Sequence, residues 1–294
     1  MINEEDTYQN LVIKDDVLDV NLLSQYHLSI GISENEIEIG IVDSENHRCL
    51  FFELITITQN ISREAYFDSL GKIFDQHPLL PAGFWGSISV FVKNQHFSLV
   101  PHEFFSKTKS VDWLCMATGQ VEPDGEILSH YHKNLDCHLV YSIPDDIKEW
   151  FSHKYPNVKV QFLHQISVLL EGFLRQKPSG KNAVAFAHID GDWLSLVIFE
   201  GKNLLLCNRF KIYEPSDFAK YIGIAFQEFS LNLESDQLIV YGNFEKDAAA
   251  LNQLNRYFQY VHLGKRPWKL YFGYMFDDLE EYKYFETFCT WFCK

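Results

Sequence analysis

Residues 28–57 read LSIGISENEIEIGIVDSENHRCLFFELITI, and residues 183–212 read AVAFAHIDGDWLSLVIFEGKNLLLCNRFKI. In the first stretch apolar residues alternate through Leu28, Ile30 and Ile32 and again through Ile37, Ile39 and Ile41, the period of a half-buried strand. Polar clusters at 34–36 and 44–47 supply two turns, so the stretch predicts a three-stranded meander. The second stretch is also 30 residues long, with turn signals at 190–192 and 200–203. Laid over the first without a gap, it puts Leu194 and Leu196 on Ile39 and Ile41, and both turns coincide.

Outward from each meander the order of elements repeats. A helix is expected over 62–76, capped by Ser62, with Tyr66, Phe67, Leu70, Ile73 and Phe74 on one face and His77-Pro78 ending it. Its counterpart starts at Pro215-Ser216 and carries Phe218, Tyr221, Ile222, Ala225, Phe226 and Phe229 at helical spacing. In the first half there follow a strand at 87–92, an elaboration over 97–133 with turn signals at 122–125, and a strand at 138–142. A helix from Pro144, a strand-like 158–162, a helical stripe through Ile166, Leu169, Leu170, Phe173 and Leu174, and a linker at 176–181 complete it. The second half continues with a strand at 237–241, a helix over 245–258, a short strand at 260–263 and a terminal helix. Strands alternating with helices behind an antiparallel meander imply parallel pairing, hence an α/β protein of two lobes. The expected lobes are 1–178, with its insertion at 97–133, and 179–294.

Composition excludes several classes. Hydrophobic residues make up 47% of the 294 residues and charged residues 22%, so the chain has the material for a large core and is not expected to be disordered. Forty acidic against 25 basic residues give a net charge of −15, which repels phosphodiester backbones and anionic lipid, so no nucleic-acid partner is expected. The start MINEEDTYQN is acidic where a secretory signal is basic, and no apolar run approaches the roughly 18 residues of a membrane helix. A cytoplasmic protein with no membrane insertion is therefore expected. Six scattered cysteines read as free thiols rather than a disulfide framework.

Two copies of strand-strand-strand-helix-strand-helix, joined near residue 180, resemble the duplicated, ribonuclease H-like fold shared by actin, hexokinase and the heat-shock chaperone ATPases. The chain, including its ending TFCTWFC, also resembles an uncharacterised Bacteroidetes family (domain-of-unknown-function family 3822) assigned to the actin-like ATPase fold. That resemblance implies a nucleotide cleft between the lobes, where the first hairpin of each lobe offers backbone N–H groups to phosphates and carboxylates hold Mg²⁺ through water.

Such turns need small residues, because a side chain there keeps the backbone off the phosphate. The first hairpin instead reads Ser33-Glu34-Asn35-Glu36, without glycine and with two carboxylates where polyphosphate would lie. The second reads Asp190-Gly191-Asp192-Trp193, in which Asp190 and Gly191 match the start of an Asp-x-Gly phosphate turn and Asp190 is the candidate to hold Mg²⁺ through water. Asp-Gly is equally an ordinary hairpin turn. On the adenosine side, Gly242 is the lone glycine of Ile239-Val240-Tyr241-Gly242-Asn243-Phe244, which also reads as a plain strand-to-helix turn. Asp190, Gly191 and Gly242 are thus the cofactor-binding candidates should nucleotide bind, with Glu36 or Asp192 assisting the metal. All three contact points depart from the pattern together, so ATP turnover is not expected, and no cofactor is expected unless ATP with Mg²⁺ binds without it.

Other constellations are weaker. His130, His132, Cys137 and His138 lie close in sequence but match no common zinc spacing, so no metal site is assigned. Cys289 and Cys293 share a helical face with Phe285, Phe288 and Phe292, which predicts core packing. Gly-x-Ser-x-Gly, His-Glu-x-x-His and Walker patterns are absent from the sequence. The run Trp268-Lys-Leu-Tyr-Phe-Gly-Tyr-Met-Phe276 is aromatic enough to leave an exposed remainder, a protein-binding patch. The expected function is a non-catalytic actin-like scaffold for an unidentified protein partner. The alternatives are a divergent nucleotide or sugar-phosphate binder and a subunit of a homo-oligomer.

Overall fold

The computed structural model describes residues 9–57, 62–119, 125–177, 183–233, 235–246 and 248–293. The turn expected at 122–125 and the linker at 176–181 fall outside these residues, but for Gly125, Gln176 and Lys177.

The chain begins with β1 (Gln9–Lys14), then the meander β2 (Tyr26–Ile32), β3 (Glu36–Asp43) and β4 (Arg48–Thr56). Helix α1 (Arg63–Gln76) follows, with the Ser62 hydroxyl accepting from the Ala65 N–H and Tyr66, Leu70, Ile73 and Phe74 buried. Next come β5 (Ser87–Val92), β6 (Phe97–Pro101), α2 (Ser110–Thr118), β7 (Gly125–His132) and β8 (Cys137–Pro144). Helix α3 (Asp145–Lys154), β9 (Val160–His164) and α4 (Gln165–Gln176) close the first half. The second half contains β10 (Ala183–Asp190), β11 (Trp193–Glu200), β12 (Asn203–Lys211), α5 (Pro215–Glu228), β13 (Gln237–Gly242), α6 (Ala249–Tyr257) and β14 (Val261–Leu263). It ends with β15 (Tyr271–Phe272) and α7 (Phe285–Cys289).

The duplication is visible in the sheets. One runs β1-β4-β3-β2-β5-β9 and the other β12-β11-β10-β13-β14; without β1 the two orders are the same. The meanders are antiparallel, whereas β2–β5, β5–β9, β10–β13 and β13–β14 are parallel. The first hairpin pairs Ile32 with Ile37 and the second pairs Asp190 with Trp193. Their turns differ by an even number of residues, which preserves the inward phase of the apolar set.

Three parts depart from the sequence expectation. Strand β1, in a stretch where the sequence predicts no element, pairs antiparallel with β4. The strand expected at 138–142 lies outside the main sheet: as β8 it is central in a separate sheet of order β6-β8-β7, covered by α2 through Val100, Leu114 and Val140. The insertion thus extends to the end of β8.

Third, the chain after β14 returns to the first lobe. β15 pairs in parallel with β4, and Leu270, Phe276, Leu279, Phe288 and Trp291 pack on Ile13, Val42, Phe52 and Leu54 of the first sheet. The terminal helix is shorter than expected and sits between the halves, where two glycines admit it. A Cβ on Gly172 of α4 would lie 2.5 Å from the Phe285 ring and 2.6 Å from Cys289 Sγ, and one on Gly40 of β3 would lie 2.8 Å from Thr287 Cγ2. Cys289 and Cys293 are buried here, as the sequence predicts.

The α4–α7 crossing gives the first prediction. Gly172→Leu overpacks it and should cost about 1–3 kcal/mol in urea unfolding; unchanged stability would place α7 elsewhere.

Candidate functional site: the cleft between the sheets

The turns that end β2 and β10 face one another across a cleft of about 830 Å³. Its walls include Ser33, Glu34 and Asn35 from one lobe and Asp190, Gly191, Asp192 and Trp193 from the other, with Lys93 and Asn94 beyond β5 and Arg209 and Lys211 on β12. Asp190 and Gly191 are therefore brought together at the cleft.

Gly191 takes a left-handed φ of +54°, the conformation a two-residue hairpin turn asks of its glycine, and an added Cβ would meet nothing within 4 Å. Its role is conformational.

Gly242 lies outside the cleft lining. It ends β13 beside Ile189 of β10, and a Cβ there would fall 1.9 Å from the Ile189 carbonyl oxygen, at a φ of +131°. Its N–H donates to the Tyr282 carbonyl, while Phe244 stacks on the Tyr282 ring at 4.8 Å. Close strand packing fully accounts for this glycine.

The first hairpin is closed upon itself: the Glu36 N–H donates to Ser33 Oγ at 3.0 Å and the Ser33 N–H to the Glu36 carbonyl at 3.0 Å. Trp193 forms a wall rather than a plug, with the Arg209 guanidinium 5.1 Å and the Lys211 ammonium 5.0 Å from its ring centre.

The floor of the cleft is a buried charge cluster. Lys93 Nζ lies 2.5 Å from Glu38 Oε1, 3.4 Å from Glu286 Oε1 and 3.7 Å from Asp190 Oδ1, and its side chain is only 5% exposed. Glu38 also accepts from the Thr287 hydroxyl. His188 Nε2 is 2.8 Å from Glu286 Oε2, and the Gln165 amide donates to Glu286 at 2.8 Å and to Asp190 at 3.1 Å. Arg209 donates to Gln165 Oε1 at 2.6 Å and lies 3.5 Å from Asp190 Oδ2.

Electrostatics divides these groups. Burial works against the charge on Lys93, but Glu38, Asp190 and Glu286 together hold its pKa well above the ordinary lysine value. Burial raises Glu38 to about 7, more than Lys93 can offset, with Glu286 adding repulsion. Burial opposes ionisation of Glu286 too, yet His188 and Lys93 hold its carboxyl below the usual range. Asp190 is likewise held low against burial, chiefly by Lys93. One carboxyl of the set thus takes up a proton near neutral pH, and it is that of Glu38.

Sequence reading found Asp190 and missed the rest. Lys93 follows a strand and reads as a solvated turn residue; Glu38 falls on the polar phase of Ile37-Glu38-Ile39, the solvent face of an uncovered sheet. Only the return of α7 over β3 buries it, and nothing local announces that return. A lone Glu beside the apolar face of a terminal helix was the one available signal for Glu286.

Comparison with known proteins places this geometry. The chain belongs to the family described as Protein of unknown function (DUF3822), whose model matches residues 15–261. A Bacteroides thetaiotaomicron VPI-5482 protein with actin-like ATPase fold and unknown function is similar at a TM-score of 0.75 and 19% identity, over 84% of this chain and 94% of that one. A chain of the PilM-PilN type IV pilus biogenesis complex is similar at a TM-score of 0.56 and 11% identity, over 84% of this chain and 90% of that one. No curated protein matches. The architecture is the duplicated actin-like ATPase fold, and no helix among the described residues is long and apolar enough to cross a membrane.

Two predictions follow from the cluster. Lys93→Met removes the cation shared by Glu38, Asp190 and Glu286 and should cost about 3–5 kcal/mol, read by urea unfolding at pH 7.

Glu38 gives the pH dependence. Its folded pKa of about 7 lies above the ordinary 4.5, so the folded state holds the extra proton between them and this group's contribution to stability falls as pH rises through that window. Asp190 and Glu286, held low, contribute stability that is present above the ordinary carboxylate range and lost as pH falls below it. Glu38→Gln should therefore gain about 2 kcal/mol on wild type between pH 5.5 and 8; a pH-independent difference would mean that Glu38 is ionised throughout.

Proposed function

We propose that this DUF3822 chain is an actin-like scaffold that binds another protein and does not turn over ATP. The observation that carries the reading is the cation already seated on the cleft floor. A Mg²⁺–polyphosphate group needs uncommitted carboxylates and open backbone N–H groups. Here Asp190, Glu38 and Glu286 share Lys93, Asp190 also faces Arg209, and the Ser33 hydroxyl takes the Glu36 N–H. These residues do not fit the group.

The surface favours a protein partner. Trp268, Tyr271, Tyr274 and Met275 are 62%, 68%, 69% and 40% exposed, while Leu270 and Phe276 of the same run anchor it in the core. The Tyr274 hydroxyl bonds to Asp16 just beyond β1, the edge strand of its sheet, where Leu11 and Val12 are also exposed. Rigid aromatics beside a strand edge that is unpaired among the described residues suit an extended segment of a partner. The pilus biogenesis neighbour, of the same fold, is a member of a protein complex.

One observation favours small-anion binding instead: the cleft is open, and Arg209 and Lys211 flank it. A thermal-shift titration with ATP, ADP and inorganic phosphate, each with and without Mg²⁺, decides between the two. The scaffold reading expects no shift at millimolar ligand. A ligand at a hundred times its Kd would stabilise the fold by about 2.7 kcal/mol, and a Mg²⁺-dependent rise abolished by Asp190→Asn would overturn the scaffold. The combined variant Trp268→Ser, Tyr271→Ser, Tyr274→Ser should melt close to wild type but lose the partner captured by the wild-type chain. Retained capture would move the binding surface elsewhere.

A further inference from the structure

The four residues weighed from sequence as zinc ligands do not act together. In the β7–β8 ladder Tyr131 pairs with His138 and His132 with Cys137, so successive residues face opposite sides of the small sheet. His138 lies on the outer side, stacked on Phe105 at 3.7 Å and within 2.9 Å of His102. His130 and His132, two apart on β7, face the other way, toward α4.

There they meet a residue that no local spacing reveals. Glu171 of α4 places Oε1 2.9 Å from His132 Nδ1, and ligand atoms of His130, His132 and Glu171 all lie within 4.8 Å of one another. We propose that His130, His132 and Glu171 form a binding site for a zinc-class divalent cation that ties the inserted sheet to helix α4.

Two imidazoles and one carboxylate are the donor set of three-ligand zinc sites and suit first-row divalent ions generally. Tetrahedral ligands about 2.1 Å from a metal stand about 3.4 Å apart. The His132–Glu171 pair is already slightly closer than that, and the remaining contraction falls to His130, the one member that is not fully buried. The Ser167 hydroxyl, 3.3 Å from His132 Nε2, is placed to orient that ring.

One group opposes the metal. Arg175 holds the other Glu171 oxygen at 2.6 Å and supplies a positive charge to a site with a single carboxylate. This makes the site charge-poor, and it distinguishes a metal site from a satisfied buried network of His132, Glu171 and Arg175. A structural network is weakened by loss of Arg175. A metal site is strengthened, because Glu171 is released.

The test uses the full chain, stripped with a chelator, and Zn²⁺ alone. Calorimetric titration should show one Zn²⁺ per chain, with a rise in melting temperature, and Co²⁺ should give the visible absorption of a low-symmetry site. His130→Asn, at a half-buried position that leaves the metal-free melting temperature unchanged, should weaken Zn²⁺ binding at least 10-fold, as should Glu171→Gln. Arg175→Gln should tighten it several-fold, and His102→Asn on the opposite face should leave it unaltered. No stoichiometric uptake, uptake that survives His130→Asn, or uptake lost with His102→Asn each overturns the site. Weaker binding in Arg175→Gln removes Glu171 as a ligand and overturns it as well.

Discussion

Lys93 joins three pieces of chain that are remote in sequence: β3 through Glu38, the end of β10 through Asp190, and α7 through Glu286. Burying an ammonium and three carboxylates costs several kcal/mol per charge in lost hydration, and the cluster repays this only in one arrangement, with Thr287, His188, Gln165 and Arg209 completing its hydrogen bonds. Separating the lobes would strand carboxylates without their cation. The cluster therefore fixes the width of the cleft, and it does so from the floor, where a ligand-driven movement of the lobes would have to begin.

The same constraint explains the route of the last segment. Glu286 and Thr287 reach the cleft because α7 lies between α4 and β3, and it fits there because Gly172 and Gly40 have no side chains. To arrive, the chain leaves the second sheet after β14 and adds β15 to β4 and a layer of aromatics to the first sheet. Along that return Trp268, Tyr271 and Tyr274, three residues apart, are left exposed. The exposed aromatic surface and the buried charge cluster are thus two ends of one excursion. A partner seated on the former would sit on the segment that carries Glu286 into the latter.

What could be read from sequence was local. The meanders, the helices after them and the parallel strands follow from periods of 2 and 3.6 and from Ser62, His77-Pro78 and Pro215, and these sufficed for the duplication and hence the fold. Asp190 and Gly191 were legible for the same reason, as a turn between two patterned strands. Lys93, Glu38 and Glu286 were not, since each looks solvated in its own element and is buried by another. Strand β1 is short and flanked by acids, and β8 has the pattern of a core strand whichever sheet takes it. At Gly242 the plain strand-to-helix turn that the sequence offered has a structural basis, a positive φ and a close approach to the Ile189 carbonyl.

Their partners distinguish the buried cluster at the cleft floor from the one beneath the inserted sheet. At the cleft floor every acid faces a lysine, arginine or histidine, and the ammonium is surrounded by acceptors, so an added cation has no unshared carboxylate and an added anion must compete with three. Beneath the inserted sheet the balance differs: His130 and His132 bring imidazole nitrogens, and the one carboxylate, Glu171, is shared between His132 and Arg175, whose guanidinium also lies over the Phe292 ring at 4.6 Å. The charges of the cleft floor are therefore committed to one another, and Lys93 occupies the space between the carboxylates that an added cation would need.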